Sequence, residues 1–382
     1  MGALTGLKVL DLANLLAGPQ VSAHLADLGA DVVKVEPLAG DPLLRIGAQR
    51  NGRSVPYALV NRGKRVVRLD VELDADRTAL HALLDRADVI VSNQPLTVLR
   101  SWGADPDAIL ARNPRAVVVT VSCFGTDGPW ADRVGNGSLA EAFAGLTHLT
   151  GEAEGPPMLP SVALGDSLVG MAGALAALAA CWSRDTAGGT GQHIDVTQYE
   201  PIIALLGPAV AAWDPSTTPP ARTGSRVPGG VPRNVYRAAD GRFLVLSATT
   251  DAQVGRVLAL LGIDTPHGQA RFAHSEDRLS RADELDGLVA DWIDTLSRDD
   301  ALAALEQARL PAVAVQDLLD LAAHPQVQAR GSLVRVEDPT AGPLTLPGPV
   351  AQLRGTPAEL RPAPVDAVTV RDVLASWSAT AG

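Results

Sequence analysis

Lys8-Val-Leu-Asp-Leu12, the turn Ala17-Gly18-Pro19, a helical run from Gln20 to Leu28 and then Asp31-Val-Val-Lys-Val-Glu36 together decide the fold. The first and last of these are short apolar runs of strand length. The middle segment has apolar residues at helical spacing and stops at Gly29. Strand, helix and strand in this order make a βαβ unit. Ala87-Asp-Val-Ile-Val-Ser92 and Ala116-Val-Val-Val-Thr-Val-Ser122 read as further buried parallel strands, preceded by helical runs at 77–86 and 105–112. The pattern predicts an α/β fold, a doubly wound parallel sheet with ligands at the carboxyl ends of its strands.

Further along, the stretch from Asp214 to Pro232 is rich in Pro, Gly, Ser and Thr and reads as a linker or functional loop. Asn234-Val-Tyr-Arg237 and Gly241-Arg-Phe-Leu-Val-Leu-Ser247 form a hairpin pattern around Ala239-Asp240-Gly241, and helices rich in Ala and Leu follow. Strand patterns return at 332–336 and 344–346. The expected division is a large α/β domain over 1–200, completed by 330–382, a linker over 201–232 and a small α+β domain over 233–329.

With 382 residues, 46% hydrophobic and 20% charged, the chain is long enough for two domains and packs as a globule. Aromatics are only 3%, so Ala, Val and Leu must fill the core. A net charge of −11 argues against nucleic acid or an acidic membrane surface as the main partner. Cys123 and Cys181 cannot staple a chain of this size, and there is no CxxC pair for zinc or redox chemistry. No charged-then-apolar leader precedes the first strand, and the run 164–182 reads as a buried helix; a cytoplasmic protein is expected.

Ala163-Leu-Gly-Asp-Ser167 opens an Ala/Leu/Gly-rich run from Leu168 to Ala180. It sets the Asp166 carboxylate at the mouth of an apolar helix, where free N–H groups and the helix dipole favour negative charge. Asp166 either caps that helix or attacks an acyl group. Other chemistries lack their residues. There is no GxSxG elbow and no GxxxxGK[ST] loop, and the seven His are scattered without HxxxH or HxH pairs, so no metal site is expected. The first βα turn has only Gly18 where a dinucleotide site wants three glycines, although Glu36 ends the second strand, so NAD is not expected.

Motifs in register along nearly the whole chain carry a specific resemblance. They include Gly6–Leu12, Leu16-Ala-Gly-Pro19 and Leu25–Pro37. Next come Gly40-Asp41 with Arg45, Asn61-Arg-Gly-Lys-Arg65, Leu69-Asp70, Ala87–Asn93, Asn113-Pro114, Ser122-Cys-Phe-Gly125 and Gly128-Pro129. Ala163–Ser167, Gly189-Thr-Gly-Gln192 with Asp195-Val196, Ala239–Gly241, His324–Gly331 and Pro347-Gly-Pro349 complete the set. The chain resembles the class III CoA-transferase (CaiB/BaiF) family, which includes formyl-CoA transferase, carnitine CoA-transferases and α-methylacyl-CoA racemase.

The resemblance implies that Asp166 is the nucleophile, forming an aspartyl mixed anhydride and then an aspartyl-CoA thioester. Backbone N–H groups at the helix start, freed by Gly165, would stabilise the oxyanions. The substrates would be an acyl-CoA and a small carboxylic acid, with no metal or redox cofactor. CoA would lie near Leu16, Ala17, Gly18, Leu69 and Asn93, with Arg45, Lys64 and Arg65 as phosphate partners. Gly125 and Asn136 would belong to the same site, Asn136 near the thioester or acyl group. The implied assembly is a homodimer whose chains thread through each other like links, with no membrane or nucleic-acid partner.

Several departures bear on the activity. Racemases of the family carry Gly-His-Asp where this chain has Gly135-Asn136-Gly137, and Asn cannot exchange a proton near neutral pH. Leu16 replaces the Gln of the formyl/oxalyl branch, Pro37 replaces a basic residue after Glu36, and Gln94-Pro-Leu-Thr97 replaces Phe-x-Pro-Gly. Only Gly229-Gly230 represents the small-domain glycine loop. A larger or more apolar acyl group than formyl or oxalyl is expected. The alternatives are a racemase of the same family, an inactive CoA-binding homologue and a dinucleotide-binding oxidoreductase.

Overall fold

The structure is a computed structural model that describes residues 2–216 and 218–379. Its strands are β1 (Lys8–Asp11), β2 (Asp31–Glu36), a short hairpin of β3 (Gln49–Arg50) and β4 (Arg53–Ser54), β5 (Arg65–Arg68), β6 (Val89–Ser92), β7 (Val117–Ser122) and β8 (Gln192–Thr197). Six of these form one parallel sheet in the order β5-β2-β1-β6-β7-β8. The chain runs outward from β1 to β5 and then restarts at β6 on the other side of β1. That reversal opens a crevice at the carboxyl ends of β1 and β6.

Central strands such as β6 (Val-Ile-Val-Ser) are buried on both faces and read as continuous apolar runs. The edge strands β5 and β8 are different. Arg65 and Arg68 flank two valines in β5, and β8 reads Gln-His-Ile-Asp-Val-Thr, so neither has the apolar run expected of a buried strand. Helices cover both faces. Ala17–Asp27 and Leu164–Ala187 pack through Val21, Leu25, Val169 and Ala177 on one. Asp74–Leu84, Pro106–Arg112 and Val370–Ala379 pack through Leu80, Ile109 and Trp377 on the other.

Two element boundaries differ from expectation. The first helix begins at Ala17, so Ala17-Gly18-Pro19 is its first turn and not a preceding loop. Pro19 is tolerated there because the first-turn N–H groups have no intrahelical acceptor. The helix expected over 164–182 begins at Leu164 as read and continues to Ala187. Among the described residues it is the one helix long and apolar enough to cross a membrane, and Val169, Gly173, Ala177 and Cys181 on one of its faces are buried in the core.

The chain divides into two compact units. One comprises Met1–Thr147, Leu159–Thr218 and Gln326–Gly382; the other comprises His148–Met158 and Pro219–Pro325. Segment 201–232, expected as a linker, opens with the helices Glu200–Leu205 and Gly207–Ala212, and Ile202 in the first is fully buried. The second unit holds the antiparallel sheet β11-β10-β9, built from β9 (Arg233–Arg237), β10 (Phe243–Ser247) and β11 (Ala312–Ala314). Its core joins Leu244 and Leu246 to Val289, Ile293 and Leu305 of the covering helices. The returning strands β12 (Leu333–Asp338) and β13 (Gly342–Pro347) pair as a hairpin in the first unit.

Candidate active site

Asp166 is the third residue of the Leu164–Ala187 helix; Ala163 holds the capping position without a side-chain bond. Asp166 is therefore not the N-cap. Its half-buried carboxylate lies against the backbone of Gly137, the first residue of the helix Gly137–Phe143. A Cβ on Gly137 would stand 3.1 Å from the Asp166 Cγ. A Cβ on Gly165 would stand 3.0 Å from the Gly137 carbonyl oxygen. Two helix starts meet here because both contact residues lack side chains.

Asp166 Oδ1 accepts a hydrogen bond from Nε2 of the buried Gln198. Glu141, 1% exposed, accepts the Gly165 N–H through Oε1 at 2.9 Å. Burial first, and then the nearby Glu141 charge, push the Asp166 carboxyl up to about 6 against the pull of Gln198. The helix start favours the ionised form, as expected, but desolvation and a like charge outweigh it and raise the carboxyl above its ordinary value. The Gly165 N–H is likewise not available to an oxyanion, because Glu141 occupies it. Gln198 and Glu141 escaped the sequence reading, since each reaches its partner across more than twenty residues of chain.

Asn136 is exposed and caps the helix Gly137–Phe143, its side chain accepting the Leu139 N–H at 3.2 Å. Cys123 lies beneath it, the thiol donating to the Asn136 carbonyl at 3.6 Å. Burial, with the Asp166 charge adding to it, pushes that thiol up to about 11, so it stays protonated at neutral pH. Gly125 sits in the loop after β7 with φ +101°, a conformation suited to glycine, and its N–H is held by Ser122 Oγ at 2.8 Å.

The crevice at the carboxyl ends of β2, β1 and β6 is a second feature. It is a cavity of about 230 Å³ whose lining includes Leu12, Asn14, Glu36, Leu69, Gln94 and Trp102. Of the residues expected at CoA, Leu69 lines it directly. Asn93 sits beside it, exchanging hydrogen bonds at 2.9 Å with the backbone of Asn14. Leu16 packs against a different cluster, with Leu43 and Tyr57. Ala17 and Gly18 are buried, and a Cβ on Gly18 would stand 2.4 Å from that of Ala13. Gly18 is thus required by protein packing.

The expected phosphate partners separate. Lys64 is fully enclosed, and its ammonium donates to Asp11 (2.8 Å), the Pro19 carbonyl (2.9 Å) and Asn61 (3.0 Å). All three ammonium protons are used, so Lys64 is a structural ion-pair residue and not a phosphate ligand. Burial drives its pKa down to about 8 against the pull of Asp11. Burial works against the Asp11 carboxylate as well, yet Lys64 and Lys34 hold it below the ordinary carboxylate value. Arg65 opens β5 and pairs with Asp31 at 2.6 Å, at the amino ends of the strands and away from the cavity. Arg45 is exposed, at the end of a 3-10 turn whose first residue, Pro42, lines the cavity. Arg68, which the sequence reading passed over, is exposed at the carboxyl end of β5.

The chain thus sets a half-buried carboxylate at a glycine-framed helix start beside a doubly wound sheet. Residues 4–366 match the profile described as CoA-transferase family III, and the chain belongs to that family. It is 32% identical over 356 residues to succinyl-CoA–D-citramalate CoA-transferase of Chloroflexus aurantiacus, covering 93% of this chain and 88% of that one. It is 32% identical over 342 residues to succinate–glutarate CoA-transferase of Agrobacterium fabrum, covering 87% and 85%. A CAIB/BAIF family protein from Brucella suis has the same fold, with a TM-score of 0.85 and 29% identity over 98% of this chain and 99% of that one. The protein is an enzyme that acts as a CoA-transferase.

Proposed function

We propose that this enzyme moves CoA between two carboxylic acids through covalent intermediates on Asp166. The observation that carries the reading is the placement of Asp166: half-buried, oriented by Gln198 and fronted by the glycine backbone of Gly137. An Asp166 oxygen attacks the thioester carbonyl of the donor, the C–S bond breaks and CoA leaves as thiolate. The thiolate then attacks the aspartyl carbonyl of the mixed anhydride and releases the donor acid as carboxylate. The acceptor carboxylate attacks the aspartyl-CoA thioester, giving a second anhydride and free thiolate. Thiolate attack on the acceptor carbonyl forms the new acyl-CoA and restores the Asp166 carboxylate. No net proton or electron is transferred.

The substrate class we infer is a dicarboxylic acid of about four or five carbons, because relatives covering most of this chain act on succinyl-CoA with citramalate or on succinate with glutarate. That agrees with an acyl group larger than formyl or oxalyl; dicarboxylates are polar, which leaves the more apolar option without support. The CoA nucleotide is placed in the cavity at the β1 and β2 ends, with Arg45 and Arg68 as exposed cations for its phosphates. A second copy of the chain is the partner we assign to the exposed apolar residues Met171, Leu175 and Trp182 of the long helix.

Trapping tests the covalent role. Succinyl-CoA plus hydroxylamine is expected to inactivate the enzyme and convert Asp166 to a hydroxamate, visible as a mass shift in its peptide. Asp166→Asn is expected to lose at least about a thousandfold in rate, as removal of a nucleophile does. Full activity of that variant, or a hydroxamate on another residue, would overturn the reading.

A further inference from the structure

Glu36 ends β2, the position from which an acid binds a ribose hydroxyl in dinucleotide-binding sheets. The first βα turn lacks the glycines of such a site, so the sequence leaves Glu36 without a task. Its surroundings supply one. The side chain is 1% exposed. Oε1 accepts the Tyr57 hydroxyl at 2.7 Å. Oε2 is buried with no hydrogen-bond partner. Glu36 lines the cavity at the carboxyl ends of β1 and β2. The Lys34 ammonium donates to Asp41 at 2.9 Å and to the Ala13 carbonyl, and Oε2 is not among its partners.

A buried carboxylate oxygen without a donor is costly, and natural structures leave few of them. The cavity, about 230 Å³, is smaller than the roughly 300 Å³ at which whole-ligand pockets begin, so it suits one part of an extended molecule. Leu12, Leu69, Leu80 and Trp102 give it apolar walls suited to a flat base. We propose that Glu36 Oε2 accepts a hydrogen bond from the 2′-hydroxyl of the adenosine ribose of CoA, with the adenine against those walls. An anionic acceptor takes a hydroxyl and repels a phosphate, so the 3′-phosphate of CoA faces away from it. Tyr57 is the positioning residue that turns Oε2 toward the ligand.

The contact rests on the CoA-transferase reading, and calorimetry separates the two. The intact enzyme is titrated with CoA, 2′-deoxy-CoA and NAD. The wild type is expected to bind 2′-deoxy-CoA about tenfold more weakly than CoA, the size of one hydrogen bond to a charged group. Glu36→Gln, which keeps an acceptor for Tyr57 and places an amide donor or a shared oxygen at the ligand, is expected to lose about tenfold for CoA and little for 2′-deoxy-CoA. Equal wild-type affinities for CoA and 2′-deoxy-CoA would overturn the contact even if Glu36→Gln failed to fold. Equal losses for both ligands in the variant would overturn it as well. A wild type that binds NAD and no CoA would overturn the CoA-transferase reading and this contact together.

Discussion

At the scale of single residues, Asp166 and Glu141 are expected to set the working pH of the proposed transfer. Asp166 must be ionised to attack, and burial, with Glu141 adding, lifts its carboxyl to about 6. The transfer rate is therefore expected to fall as pH drops through about 6, because protonation removes the nucleophile. Glu141→Gln keeps an acceptor for the Gly165 N–H and removes the charge, so the acid limb of kcat/KM should move to lower pH with the melting temperature nearly unchanged. Burial remains in that variant, which keeps the limb above the ordinary carboxylate value. A pH–rate profile of the two proteins checks this; an unmoved limb would mean that Glu141 does not act on Asp166. The sequence marked Asp166 because a carboxylate after glycine at an apolar helix start is a local pattern. Glu141 and Gln198 carry no such mark, since their roles depend on which helix start and which strand end meet.

At the scale of elements, glycines decide how closely the helices approach. The long helix Leu164–Ala187 crosses the first helix at Gly170 and Gly173, where added Cβ atoms would stand 2.6 Å from Gln20 Cβ and 2.7 Å from Val21 Cγ2. Gly170→Ala is expected to destabilise by about 1–3 kcal/mol through overpacking, partly offset by better helix propensity. Gly287, in the helix Ala282–Ile293, is exposed with nothing within 4 Å of an added Cβ. Gly287→Ala should stabilise by about 0.5–1 kcal/mol. Thermal unfolding of both variants reads the opposite signs, and two changes of the same sign would contradict this packing account. The buried strands β1, β2, β6 and β7 were legible as apolar runs with β-branched residues. The edge strands β5 and β8 were not, because an edge carries polar residues and loses the signature of burial.

At the scale of the whole molecule, Met171, Leu175 and Trp182 fall within about 40° of one another around the long helix at 100° per residue. Large apolar side chains grouped on a solvent face mark an interaction surface. The protein is expected to elute at twice its 39.6 kDa. Leu175→Glu with Trp182→Glu should abolish that dimer in light scattering, and an unchanged dimer would exclude this face. By itself the sequence determined the parallel α/β sheet and the family, and it marked Asp166 as the candidate nucleophile. Each of these is written in short-range patterns: apolar period, glycine and proline punctuation, and motifs of a few residues. Only the tertiary structure decided which charges were free to act. Lys64 and Arg65 read as phosphate ligands until folding set them against Asp11 and Asp31. Glu36 read as an unused acid until folding buried one of its oxygens without a donor beside a cavity. Pairing and burial are relations between distant segments, so a charge carries no sign of them until the chain has folded.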